Sequence, residues 1–382
     1  MSGLYIHIPF CTYKCSYCNF YSIVNMNDRE IYRKYAEALI SELKLRIQNY
    51  KSYIETIYFG GGTPSVFGSD LLKYLLDNIL DIVYNHNRDY IGSKNTDLIK
   101  EITIESNIND INLEYIKFLE KIQNIRLSLG IQTFNEKSLA VINRHTDKKD
   151  IINALKLINK SSLENISLDF ICGLPLNSEM QIKDDILFSY DLLPKVKHFS
   201  LYYLELTESL HKKWKDLLPN DEESVIYYKK ASDTLEGLGF KRYEVSNYSL
   251  PDYNSIHNSN YWLLKDYIGI GVSAAGCYNN NRYCNVKMLR DYFNFIDNSN
   301  LPIKENEYLD IDTRKKEFIF LSLRTVKGIN IDKYNNYFNE KFYDKYYNII
   351  NNNTQYFNVY KNYLSIKKHY FDYVDEISIL LL

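Results

Sequence analysis

Six times in its first 240 residues the chain passes from a short apolar segment into an amphipathic run. That alternation restricts it to an α/β architecture with a mainly parallel sheet. The strand-like segments are 4–8, 56–60, 101–105, 125–131, 166–171 and 198–206, and helical runs occupy 28–50, 69–85, 112–122, 135–160, 178–193 and 221–238. Ser178 with Gln181 reads as a capping box at one helix start. Cys11, "GGGTP" (60–64), Glu105, Gln132 and "GLP" (173–175) all fall at or just past strand ends. An open doubly wound sheet would gather its ligand at one switch point. Chemistry at the ends of many strands predicts instead a partial six-unit (β/α) barrel.

Three regions are expected: the barrel over 1–240, a connecting region over 241–310, and a small winged-helix-like α+β domain over 311–382. The last carries helical runs at 313–323, 332–339 and 342–350, a hairpin-like 357–366, and a closing "ISILLL" that reads as a terminal strand. No apolar run approaches the ~20 residues of a membrane span, and the start lacks the features of a secretory signal. The expected location is therefore the cytoplasm, with peripheral membrane association left open. A formal charge of -2 gives no electrostatic footprint for nucleic acid.

Six cysteines without a secretory context read as reduced thiols. Cys172, Cys277 and Cys284 are scattered and read as small buried apolar residues. Cys11, Cys15 and Cys18 are clustered in "CTYKCSYC". Three soft thiolates suit zinc or an iron–sulfur cluster. Zinc needs a fourth ligand, and His7, four residues earlier on a strand, cannot easily fold back onto the same metal. A cubane held by three cysteines leaves its fourth iron open for a small chelating ligand. The glycines of "GGGTP" admit a close backbone approach and offer N–H groups. Glu105, Gln132, Arg144 and Asp169 add polar groups suited to an amino acid and a ribose. Singly, such residues are more often caps or solvated.

C-x3-C-x-aromatic-C, with Tyr17 as the aromatic, followed by "GGGTPS", resembles the radical S-adenosylmethionine (SAM) superfamily. "YIHIPFC", "ITIESN", "LSLGIQTFNEKSL", "INRHTD", "LDFICGLP" and "RYEVSNY" narrow the resemblance to the oxygen-independent coproporphyrinogen III oxidase family. The match runs to about residue 276 and is looser beyond it. It implies a [4Fe–4S] cluster on Cys11, Cys15 and Cys18, with SAM chelating the open iron. Tyr5, Tyr17, Gly61, Gly62, Thr63, Glu105, Gln132, Arg144 and Asp169 match the family's SAM-contacting positions. In such proteins the reduced cluster passes an electron to the sulfonium, releasing methionine and a 5′-deoxyadenosyl radical.

Decarboxylating members of the family resemble C-x3-C-x2-C-x-C. Here Phe20 stands at the further position, as in the heme-chaperone branch. Those members also carry an N-terminal extension that the position of Cys11 leaves no room for. "HNSNYW" (257–262) resembles that branch's heme-binding signature, which implies heme contact through His257 with Tyr261 and Trp262 nearby. Read as a lone residue, His257 is a loop histidine bonded to backbone. One departure is Ala275 in "GVSAAG", where chaperone relatives usually have histidine. The resemblance thus implies a heme chaperone that binds a cluster, SAM and heme and delivers heme to a respiratory acceptor, with a homodimer among its expected assemblies. The alternative is an oxidase that decarboxylates two propionates of coproporphyrinogen III. A radical enzyme acting on heme comes third, and a tRNA-modifying enzyme last.

Overall fold

The structure, a computed structural model, describes residues 2–24, 28–91 and 99–382. Six parallel strands form its centre: β1 (Ser2–Ile8), β2 (Ile54–Gly61), β3 (Glu101–Asn107), β4 (Ile125–Gln132), β5 (Ile166–Cys172) and β6 (His198–Tyr203). Each pairs with the next in chain order, as helical crossovers between parallel strands require. The chain is α/β, with the partial six-unit barrel expected of it.

The alternation along these strands runs opposite to that of a sheet with a wet outer face. Leu4, Ile57, Phe59, Ile104, Leu127 and Leu168 are buried in the main apolar core. The residues between them are polar: Thr56 and Tyr58, Glu101 and Thr103, Arg126 and Ser128, Ser167 and Asp169. Successive strand side chains point to opposite faces. The apolar set therefore meets the covering helices, such as Arg29–Ile47 and Lys148–Asn159, and the polar set lines the concave interior.

The connecting region extends this sheet at both edges. β7 (Lys241–Arg242) and β8 (Asn247–Ser249) add antiparallel strands beyond β6. β9 (Tyr267–Ile270) pairs parallel to β1. β10 (Ala275–Tyr278), β11 (Asn281–Asn285) and β12 (Ile303–Tyr308) continue outward antiparallel, giving a 12-stranded sheet. The turn between β9 and β10 is tied down by Glu42, which is fully buried. Its carboxylate accepts from Gly271 N–H (2.8 Å), Tyr292 Oη (2.7 Å), Asn285 Nδ2 (2.8 Å) and Arg46 Nε (2.7 Å). A buried carboxylate is tolerable only with such a full set of donors.

A second apolar core begins at Phe318. Helices Ile311–Leu323, Ile331–Phe338 and Phe342–Asn352 pack with a three-stranded sheet of Ile329–Asn330, Phe357–Tyr360 and Tyr363–Ile366. This is the winged-helix-like arrangement. Three sequence expectations change. The run 135–160 is two helices, Glu136–Val141 and Lys148–Asn159, separated by a turn in which Asn143 takes φ 55°. "ISILLL" is helical rather than a strand, because Val374, Ile377 and Leu381 are buried at helical spacing and override its β-propensity. Cys284 is half-buried, unlike the buried Cys172 and Cys277.

Candidate functional site

The cysteine loop leaves the C-terminal end of β1. Phe10–Cys11 pairs with Ile23–Val24, and Ile23 N–H bonds Pro9 C=O at 2.7 Å, so the intervening segment closes on itself. Cys15 is buried, Cys11 and Cys18 are half-buried, and all three are free thiols. Burial pushes the Cys11 and Cys18 thiols up, and neighbouring cysteine sulfurs add to it. Among the described residues, no three His, Cys, Asp or Glu side chains surround one metal-ion position. A cubane asks each thiolate for a different iron, and this one loop carries three thiols. His7 is engaged elsewhere: its Nε2 donates to Tyr21 C=O (3.1 Å), which leaves Nδ1 to accept from Tyr5 Oη (3.0 Å).

The glycine segment lies directly against this loop. Gly62 N–H and Thr63 N–H bond the carbonyls of Ile8 and Phe10, each at 2.8 Å. Gly61 N–H reaches Glu105 Oε2 at 3.3 Å. The sequence alone assigns these donors to a ligand; in this structure they are engaged within the chain, those of Gly62 and Thr63 zipping the end of β2 to the cysteine loop and that of Gly61 turning to β3. Gly61 has φ 111°, and a Cβ on Gly62 would stand 2.7 Å from the backbone of Pro9 and Phe10. Glycine here permits a close approach of two backbone segments of the chain. Thr63 Oγ1 lies 3.5 Å from Cys11 Sγ.

Glu105 faces the interior, where Tyr58 Oη donates to it at 2.6 Å. Burial, with Asp169 adding repulsion, raises its carboxyl to about 7. A carboxyl raised on folding binds its proton more tightly in the native state. Unfolding free energy should therefore fall as pH rises from the ordinary carboxylate range to about 7, by roughly 3 kcal/mol at most, and level off above it. In urea unfolding from pH 4.5 to 8.5, Glu244, also raised to about 7 by burial, should add a like fall, and His7, held neutral by burial, an opposing rise. The share of Glu105 is therefore the difference in slope between the wild type and Glu105→Gln. An unchanged slope would place the titration elsewhere.

Asp169, also raised by burial, accepts from Ser128 Oγ (3.1 Å) and Ser167 Oγ (3.3 Å). Gln132 ends β4 in the left-handed region at φ 70°, just after a register shift at Gly130. Such a bulge re-aims side chains at the rim of a sheet. A Cβ on Gly130 would stand 2.7 Å from Gln132 Nε2 and 3.1 Å from Arg144 Nη2. Arg144 donates to Gly130 C=O and lies 3.8 Å from Cys15 Sγ, while its Nε has no partner. Tyr17 is half-buried against the main core. Tyr202, on the inward face of β6, is 41% exposed, so the interior opens to solvent at this end.

The predicted positions Cys11, Cys15, Cys18, Tyr17, Gly61, Gly62, Thr63, Glu105, Gln132, Arg144 and Asp169 thus share the C-terminal end of the barrel, with Tyr5 just below. His257 lies at the other end. It belongs to a helix, Ile256–Trp262, rather than a loop, and is 1% exposed. Its Nδ1 meets Thr56 Oγ1 and its Nε2 meets Tyr261 Oη, both at 2.9 Å. Glu101 accepts from the N–H groups of Ile256 and His257, each at 3.0 Å, and anchors the helix as the floor of the barrel. In this conformation neither ring nitrogen is free for iron. Sequence reasoning also missed the buried Arg126, whose Nη2 bonds His198 Nδ1 at 3.1 Å below Asp169. Period-two polarity in the strands is the signal that marks it.

A cysteine-bearing loop on the open end of a partial (β/α) barrel defines a class, and comparison with known proteins agrees. The model of the radical SAM superfamily matches residues 5–188. Heme chaperone HemW of Lactococcus lactis is 32% identical over 345 residues, covering 89% of this chain and 86% of that protein. Heme chaperone HemW of Buchnera aphidicola subsp. Acyrthosiphon pisum is 38% identical over 281 residues, covering 72% of this chain and 69% of that one. Coproporphyrinogen III oxidase (HemN) from Escherichia coli superposes with a TM-score of 0.82 over 99% of this chain and 89% of that one, at 19% identity, a likeness of fold. The chain belongs to the radical SAM superfamily and, within it, to the family of the HemW proteins.

Proposed function

We propose that this protein is a heme chaperone that holds a [4Fe–4S] cluster, SAM and heme and passes heme to a respiratory acceptor. The observation that carries this reading is the similarity to HemW over 89% of the chain. The exposed Phe20, in place of a further cysteine, supports it. Cys11, Cys15 and Cys18 would hold the cluster. SAM would lie across the ends of β1–β5, with Tyr5 and Tyr17 beside it and Gly61, Gly62 and Thr63 forming one wall. Glu105, Gln132, Arg144 and Asp169 would meet its amino-acid and ribose groups. Bound SAM supplies a source of a 5′-deoxyadenosyl radical. The chain's own part is to orient SAM and limit water above the buried interior. A cytoplasmic location goes with this reading, with peripheral membrane association left open; among the described residues no helix is long and apolar enough to cross a membrane.

Heme contact through His257 carries a structural condition. Both ring nitrogens are engaged in the barrel floor, so ligation requires the helix Ile256–Trp262 to leave Thr56 and Glu101. Adding hemin to the reconstituted protein should give saturable binding and faster amide exchange over 255–262. His257→Ala should weaken binding about tenfold or more, an axial ligand being lost, and leave cluster content unchanged. Saturable binding with unaltered exchange and full affinity in His257→Ala would remove His257 from the heme site.

A further inference from the structure

The cysteine loop has little internal structure of its own. Within it the direct backbone bond is Cys18 N–H to Cys15 C=O, at 3.1 Å. Most of its support comes from the turn at 142–146, 129 residues away in sequence for the contact between Asn143 and Lys14. Asn143 Nδ2 donates to Lys14 C=O at 2.8 Å, and Ser16 N–H donates to Ile142 C=O at 2.9 Å. These bonds bracket Cys15 on both sides.

The amide of Asn143 is held in a single orientation. Lys14 C=O can only accept, so the nitrogen faces it, and His145 Nε2 donates to Asn143 Oδ1 at 3.0 Å. Asparagine suits the position doubly, because its backbone takes φ 55°, a region that Asn tolerates better than most side chains. The His145 ring in turn stacks on Tyr13 with centroids 4.6 Å apart and planes at 21°. Tyr13 Oη accepts from Asn107 Nδ2 at 3.1 Å and lies 3.4 Å from Thr146 Oγ1. Asn109 Nδ2 donates to His145 C=O at 2.6 Å, tying the turn to the end of β3.

We propose that Asn143, with the Tyr13–His145 stack, is a positioning device that holds the cysteine loop in its cluster-accepting shape before any metal arrives. Three thiols on an unsupported loop would have to be ordered by the cluster itself, at a cost in conformational entropy drawn from binding. A loop already held by a second element loses less. The assignment of a cluster to these cysteines rests on the functional reading above, but the holding of the loop does not.

Two substitutions isolate the amide. Asn143→Asp keeps the shape and the tolerance for positive φ but turns an acceptor toward Lys14 C=O. Asn143→Gly keeps the backbone conformation and removes the side chain. Tyr13→Phe, which keeps the stack, and Tyr13→Leu, which loses it, separate the second support. In metal-free protein, both Asn143 variants should speed amide exchange over 12–18 by about tenfold, with exchange in β1–β6 unchanged. After anaerobic reconstitution they should lose iron to a chelator about tenfold faster and show a broadened EPR signal of the reduced cluster. Tyr13→Leu should do the same more than Tyr13→Phe. Exchange and iron loss matching the wild type in both Asn143 variants would overturn the proposal. A wild type that takes up no cluster would overturn the functional reading while the exchange result still decides whether the loop is held.

Discussion

Alanine at Cys11, Cys15 or Cys18 is expected to abolish the iron–sulfur cluster, whereas alanine at Cys172, Cys277 or Cys284 should leave it intact. Reconstituted wild-type protein should carry about four iron and four sulfide per chain, with broad absorption near ~400 nm. The expectation rests on placement. The first three thiols share one loop at the open end of the barrel. Cys172 instead is 1% exposed in the core, and Cys277 is buried in the outer part of the sheet. Two remaining thiolates cannot hold a cubane that needs three, so the loss should be near complete. Partial retention in Cys15→Ala would point to another ligand, and stoichiometric zinc with no sulfide would remove the cluster altogether.

Gly62→Val should damage the fold and the proposed site together. The valine Cβ would stand 2.7 Å from Pro9 C and Phe10 O, both backbone atoms that no rotamer change can move. Relief requires the end of β2 and the cysteine loop to separate, breaking the 2.8 Å bonds from Gly62 N–H to Ile8 and from Thr63 N–H to Phe10. The cost should be roughly 3 kcal/mol or more. Because the same segment packs on the cysteine loop and, in the proposed function, would form one wall of the SAM site, both functions should suffer. SAM affinity should fall at least about tenfold, and part of the cluster should be lost on gel filtration. Calorimetry and iron assay together check this, and a variant with wild-type melting and SAM binding would show that the two segments are not coupled.

Local features were the legible ones. The cysteine spacing with Phe20 is confined to one stretch of ten residues and "GGGTP" to another of five, and the βα alternation is a pattern of consecutive segments. What resisted reading depends on pairs far apart in the chain. His257 looks like a loop histidine until Thr56, 201 residues away, and Glu101 come to meet it. Asn143 is an ordinary polar residue until Lys14 lies across from it. The closing "ISILLL" misleads for another reason: β-branched residues favour strands, but its neighbours offer a surface that a helical spacing of apolar side chains covers. The polar interior was written in the strands themselves. Arg126, Ser128 and Gly130, or Ser167 and Asp169, alternate with leucines and isoleucines, a pattern that marks a lined interior as readily as an exposed face.

The central claim is that this chain carries heme rather than making its precursor. The direct test gives anaerobically reconstituted protein two substrates in parallel, with SAM and a strong reductant present. Hemin should bind saturably, and coproporphyrinogen III should emerge unchanged, with no protoporphyrinogen IX formed. Conversion of coproporphyrinogen III with matching release of 5′-deoxyadenosine, and no saturable binding of hemin, would contradict the account and make the protein an oxidase.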